Sequence, residues 1–84
     1  MKTDDKSDFE RIAQRPASGD VVVLRGGEII YAIDSVAVEA GGDGKTHYVV
    51  SAIRRHGVNV SEVEIDGGPW SDLVMLAAVT VRPA

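Results

Sequence analysis

Apolar and β-branched residues recur between positions 20 and 66 in short runs that glycine-containing stretches interrupt. Runs of this kind are typical of β-strands. The pattern predicts strands over residues 21–25, 28–38, 46–53, 58–60 and 62–66. The expected turns fall at 26–27, 41–44 and 56–57, where glycine allows tight reversals.

A short amphipathic helix is predicted over residues 7–15. Ser7 and Glu10 are predicted to form a capping box, in which each side chain would bond the backbone amide of the other residue. The apolar positions share one side of this helix: Phe9, Ile12 and Ala13. The helix should end by Arg15, because a proline such as Pro16 disfavours helical geometry in the residue before it.

The apolar positions of the fourth strand region change parity. They are even at Val58 and Val60 but odd at Val63 and Ile65. A regular strand keeps its apolar side chains on one face, so this change predicts a bulge or bend near Ser61.

Residues 69–78 fit two structures. A helical turn would place Trp70, Leu73 and Ala77 on one face, whereas the apolar run from Leu73 to Val81 is also typical of a buried strand. We favour the second interpretation, with a brief turn over 69–72 and then a strand through Val81.

The stretch from Gly19 to Gly27 reads Gly-Asp-Val-Val-Val-Leu-Arg-Gly-Gly. It resembles the opening of small bacterial SH3-like barrels, which begin Gly-Asp-Val-Val, followed by Leu, a basic residue and a glycine pair. The chain then departs from that family, because it lacks the proline after the glycines and the Trp-Phe strand. The resemblance implies a curled antiparallel β domain and carries no activity with it.

These signals predict an α+β fold for a single domain over residues 1–84, with 1–6 as a flexible terminus. A short N-terminal helix would pack on a bent antiparallel β-sheet, or on a partly open SH3-like barrel, of roughly five strands. The predicted core is Ile12, Val22, Leu24, Ile30, Ile33, Val36, Val49, Ile53, Val60, Val63, Ile65, Leu73, Leu76 and Val79.

The residues that usually carry catalysis or bind cofactors lack the required spacing. The chain has no cysteine, and His47 and His56 are not spaced to bind one metal ion. Gly44-Lys45-Thr46 lacks both the earlier glycine and the following helix of a phosphate-binding loop. We therefore predict a non-enzymatic domain with no cofactor, no metal site and no catalytic residue.

The chain is acidic, with 13 acidic and 9 basic residues and a net charge of −4. Nucleic-acid binding needs a basic face, so direct binding to nucleic acid is not expected. No apolar run approaches the roughly 20 residues that span a bilayer, and the first residues are charged. We expect a cytoplasmic protein without a membrane partner.

The acidic residues near the C-terminal end are the main candidate binding site: Glu62, Glu64, Asp66 and Asp72. Their expected partner is a protein with a basic surface, in a nucleic-acid-handling complex that this domain would inhibit or regulate. In size and acidity the chain resembles anti-CRISPR proteins, which are phage or mobile-element inhibitors of host machinery. The alternatives are an SH3-like nucleic-acid or regulatory adaptor that uses Arg54 and Arg55, and a self-associating structural protein.

Overall fold

The computed structural model describes residues 6–84 and contains a five-stranded antiparallel sheet with helices on one face. The strands are β1 (Val21–Leu24), β2 (Ile29–Ala40), β3 (Thr46–His56), β4 (Asn59–Asp66) and β5 (Ala78–Arg82). The helices are α1 (Lys6–Gln14), α2 (Gly67–Asp72) and a π-helical turn (Leu73–Ala77). The strand order is β4-β3-β2-β1-β5, and the two edge strands do not pair, so the sheet is open. The predicted α+β fold is confirmed.

Helix α1 ends before Pro16, as predicted, but its start differs from the prediction. Ser7 lies inside the helix, whereas an N-cap residue has an extended backbone. The proposed capping box is therefore wrong. Lys6 begins α1, and residues 1–5 of the predicted flexible terminus lie outside the described part of the chain.

One face of the sheet packs against α1, α2 and the π-helical turn, and we call it the covered face. Alternate residues of the central strands supply its side chains, as the pleat requires: Val22, Leu24, Tyr31, Ile33, Val50 and Ala52. The helices contribute Ile12, Ala13, Trp70 and Val74 to the same cluster. This layer is the hydrophobic core of the domain.

Trp70 joins the two helices to the sheet. Its side chain is fully buried, and its indole Nε1 donates a hydrogen bond of 2.9 Å to the backbone carbonyl of Ile12. Its ring meets Tyr31 edge to face, with centroids 6.2 Å apart. A buried indole N–H needs an acceptor, and α1 supplies it here.

The predicted strand over Leu73 to Val81 is wrong for most of its length. Residues 67–77 are helical, and only Ala78–Arg82 form a strand. A strand through this region would have turned Val74 and Leu76 to the same side, yet Val74 is buried and Leu76 is 76% exposed. The helix instead buries Trp70 and Val74 together, four residues apart on one face, and leaves Asp72 exposed.

Strand β4 contains no bulge, so the bulge predicted near Ser61 is wrong. Its register with β3 is unbroken from Asn59, opposite His56, to Asp66, opposite Val49. The change in apolar parity arises because Val60 points to the other face of the sheet, where it is 58% exposed. The irregularity of the long hairpin lies in β2, between Ile33 and Ser35.

The predicted core is partly correct. Four of its residues are buried in the observed core: Ile12, Val22, Leu24 and Ile33. Four more pack against that core while partly buried: Val36, Val63, Ile65 and Leu73. Six are corrections, because Ile30, Val49 and Ile53 lie on the opposite face and Val60, Leu76 and Val79 are exposed. Strand β3 has apolar residues at both parities, and the helices cover the one that carries Val50 and Ala52.

Candidate protein-binding face

The side of the sheet opposite the helices carries a set of apolar side chains, and we call it the open face. Within residues 6–84, no helix packs against it. The centre of this face consists of Val21, Val23, Ile30, Ala32 and Ile53. These side chains are half-buried, because they shield one another across neighbouring strands.

Three carboxylates line the open face along the edge strand β4, and we call them the acidic row: Glu62, Glu64 and Asp66. They occupy alternate positions, so they point to one side, while Val63 and Ile65 point to the core. Register places Glu62 beside Ile53 and Glu64 beside Ser51. All three acidic residues are exposed. The row therefore borders the apolar centre at Glu62 and extends past it toward Asp66.

Shallow grooves indent the open face, and two of similar size lie on either side of its apolar centre. The first, of about 440 Å³, lies along the acidic row and is lined by Ile53, Glu62 and Glu64. The second, of about 400 Å³, lies at the other edge and is lined by Val21, Ile30 and Arg82. Both are open depressions, unlike the enclosed pockets that bury most of the surface of a small ligand.

The fourth predicted acidic residue, Asp72, is not part of the acidic row. It ends α2, which lies over the covered face, and its side chain is exposed there. Asp66 directly precedes α2, yet its side chain makes no capping hydrogen bond to that helix. The structure therefore brings together three of the four predicted acidic residues.

The two arginines of the alternative basic site point to opposite faces of β3. Arg54 lies on the covered side, where its Nε donates a hydrogen bond of 3.2 Å to the hydroxyl of Tyr31. Arg55 lies on the open face, between Ile30 of β2 and Val60 of β4. Neighbouring residues of a strand must diverge in this way, so the pair does not form one continuous basic patch.

A buried ion pair that the sequence analysis missed holds the chain around β1. Asp20 is fully buried, and its carboxylate accepts hydrogen bonds of 2.8 Å and 3.1 Å from the Arg11 guanidinium. It also accepts backbone N–H bonds from Ala17 and Ala84. The bond to Ala84 fixes the chain two residues after Arg82, the last residue of β5. An acidic residue directly before a β-branched run was the available signal.

The pKa values of this pair move apart. Burial alone would raise the pKa of Asp20, but the bonds from Arg11, Ala84 and Ala17 outweigh burial and hold it below its ordinary value. The same hydrogen bond raises the pKa of Arg11. Asp20 thus stays charged in the interior, and it acts as an anchor for the chain.

The tip of the β2–β3 hairpin carries a second charged contact. The Asp43 carboxylate lies 3.3 Å from Nε2 of His47, and the backbone N–H of Lys45 donates to it at 2.9 Å. Both contacts lower the pKa of Asp43, and the hydrogen bond from Lys45 has the larger effect. No group of three or more histidine or acidic side chains that could hold a metal ion occurs in the part of the chain that the structure describes.

Comparisons with protein-family models, curated proteins and solved structures find no match to this chain. Among the helices of residues 6–84, none has the length and apolar character needed to cross a membrane.

Proposed function

We propose that this domain is a non-enzymatic protein-binding module that presents the acidic row to a basic surface of a partner protein. One observation carries the proposal: three exposed carboxylates, Glu62, Glu64 and Asp66, share one face of an edge strand, and Glu62 lies beside the apolar centre. Interfaces commonly combine an apolar centre with a charged rim, and the charges select the partner.

The spacing of the acidic row suits a partner that ordinarily binds nucleic acid. Residues two apart in a strand are separated by about 6.7 Å, so the row presents an extended line of negative charge. A DNA strand carries one phosphate per about 3.4 Å of its axis, which gives roughly twice that linear charge density. The row would therefore imitate a phosphate backbone in part, and the apolar centre would supply the remaining affinity.

The proposed role is to inhibit or regulate a nucleic-acid-handling complex by occupying part of its basic surface. This role resembles that of anti-CRISPR proteins in kind. The acidic row supports it better than the arginine pair supports an adaptor, because Arg54 is engaged by Tyr31 and only Arg55 is on the open face.

The test is a tagged capture from nuclease-treated lysate of the source organism, followed by elution with duplex DNA. We expect nucleic-acid-binding proteins to be retained and then released by the DNA. The variant Glu64→Lys/Asp66→Lys should capture at least ten-fold less of these proteins than the wild type, because it places positive charge against a basic surface.

The matched control is Glu10→Lys/Glu28→Lys, which alters two exposed carboxylates away from the acidic row. Both double variants bring the net charge from −4 to zero, so a charge effect without a site would affect them equally. Equal capture by the two variants, or binding of a labelled DNA duplex by the purified wild-type domain in a separate titration, would overturn the proposal.

A further inference from the structure

A second kind of row crosses the open face from strand to strand, perpendicular to the acidic row. One such cross-strand row has a charged residue at each end. Register aligns five side chains, one from each strand in sheet order: Glu62, Ile53, Ala32, Val21 and Arg82. The row thus begins with a carboxylate on β4, passes over three apolar residues and ends with a guanidinium on β5. The smallest of them, Ala32, lies on β2, the middle strand of the sheet.

We infer that the open face pairs with a second copy of this chain about a two-fold axis that runs along β2. Rotation about such an axis exchanges β4 with β5 and β3 with β1, while β2 faces itself. Glu62 of each copy then meets Arg82 of the other, and Ile53 meets Val21. The interface is isologous, as in most dimers, so it contains this charge pair twice.

Symmetry also fixes the alignment along the strands. A two-fold rotation includes no translation along its axis, so every row must meet its own copy. The neighbouring row is Thr80, Val23, Ile30, Arg55 and Val60. In the dimer Ile30 faces Ile30, and Arg55 lies over Val23 of the second copy. Neither row opposes two like charges.

The alternative in-plane axis, perpendicular to the strands, is unfavourable. It would place β4 against β4, so the acidic row of one copy would face that of the other. Like charges in direct opposition are destabilising in an interface. The charges therefore select the axis along β2, which also matches the aligned packing common for sheets stacked face to face.

The area indicates a weak dimer. Five strands about 4.8 Å apart and two rows about 6.7 Å apart cover about 320 Å² per copy. Specific stable interfaces bury about 800 Å² per partner, so we expect dissociation in the micromolar range or above.

Glu64 and Asp66 stay outside this interface. Strands β1 and β5 are short and do not extend beside the far ends of β3 and β4. The second copy thus covers Glu62 and the apolar centre but leaves Glu64 and Asp66 accessible, so it competes with the partner protein for the apolar centre. The dimer goes beyond the proposed function and does not depend on it.

Sedimentation equilibrium of the full chain, from about 10 µM to about 500 µM, tests the inference. We expect the wild-type domain to dimerise and Arg82→Glu to raise the dissociation constant at least ten-fold, because two attractive pairs become repulsive. The swap Arg82→Glu/Glu62→Arg should return the dissociation constant to within about three-fold of the wild-type value. The control Arg15→Glu alters an exposed charge on the helical side and should dimerise normally.

Three results would overturn the inference: a wild-type monomer at every concentration, an equally strong dimer in Arg82→Glu, or failure of the swap to restore dimerisation. Persistence of the dimer in the Arg82→Glu variant would indicate that the copies associate through another surface, such as a strand edge. Circular dichroism verifies that each variant is folded. The capture assay separates the two proposals, since Glu64→Lys/Asp66→Lys should still dimerise and Arg82→Glu should still capture the partner.

Discussion

On the covered face, Val22, Tyr31 and Val50 are buried under helices, whereas Val21, Ile30 and Ile53 on the open face are shielded only by their neighbours. Both sets consist of strand residues of similar hydrophobicity. What distinguishes the faces is the aromatic side chains, because Tyr31 and Trp70 both lie on the covered side. Large aromatic residues thus mark the core, while the β-branched residues of β1 to β3 serve either face.

The largest expected effect comes from removing the aromatic anchor of the covered face. Trp70→Ala should lower the free energy of unfolding by about 3–5 kcal/mol, because it opens a cavity and leaves the Ile12 carbonyl without its donor. Trp70→Phe, which keeps a ring but loses the N–H, should lower it by about 1–2 kcal/mol. Urea unfolding measures both.

The open-face comparison for that experiment is Ile30→Ala. Its side chain is half-buried and has no layer above it, so the loss should stay near 1 kcal/mol at protein concentrations where the domain is monomeric. A loss as large as that of Trp70→Ala would mean that the open face contributes to the core, and the contrast between the faces would fail.

The second effect concerns the buried ion pair and depends on pH. Asp20→Asn should lower the free energy of unfolding by about 2–3 kcal/mol at pH 7, because the Arg11 guanidinium loses its charged acceptor. The pKa of Asp20 is lower in the folded state than its ordinary value of 3.8. Its stabilisation is therefore complete above the unfolded-state pKa and disappears as the pH falls through the folded-state pKa.

Urea unfolding of wild type and Asp20→Asn between pH 7 and about pH 2 tests this prediction. The difference between them should be constant near neutral pH and should shrink only below about pH 4. A difference that grew on acidification would contradict the direction of the pKa shift.

The smallest effect tests the unbroken register of β4. Val60→Thr should change the free energy of unfolding by less than about 0.5 kcal/mol, since Val60 is 58% exposed on the open face. Val63→Thr, the matched change at a partly buried position, should lower it by about 1–2 kcal/mol, because a hydroxyl enters the core margin. Similar losses of unfolding free energy at both positions would contradict the unbroken register of β4 and support a bulge near Ser61.

The sequence predicted local structure well where turn residues are explicit. Glycines and Pro16 located the ends of α1 and of the first four strands closely. It failed where tertiary contacts decide, as in residues 67–77, whose helical form depends on burying Trp70 and Val74 together. It also failed to predict which side of β3 faces the core. Both alternate sets of β3 side chains contain apolar residues, and only the packing of the helices selects one set.

The candidate site could be predicted only in part. The alternation over Glu62, Glu64 and Asp66 was sufficient to place three carboxylates on one side of a strand. The exclusion of Asp72, the divergence of Arg54 from Arg55, and the alignment of Glu62 with Arg82 all depend on strand order. Strand order is a long-range property that local patterns do not encode.

The bond from Ala84 to Asp20 spans 64 positions of the chain, and the bond from Trp70 to Ile12 spans 58. During vectorial synthesis, α1 and β1 emerge from the ribosome well before the residues that complete them. The inner edge of β1 can pair with β2 early, but its outer edge waits for β5. Contacts of such high sequence separation slow folding, so the native domain should close in one late, cooperative step after residue 84 has left the exit tunnel.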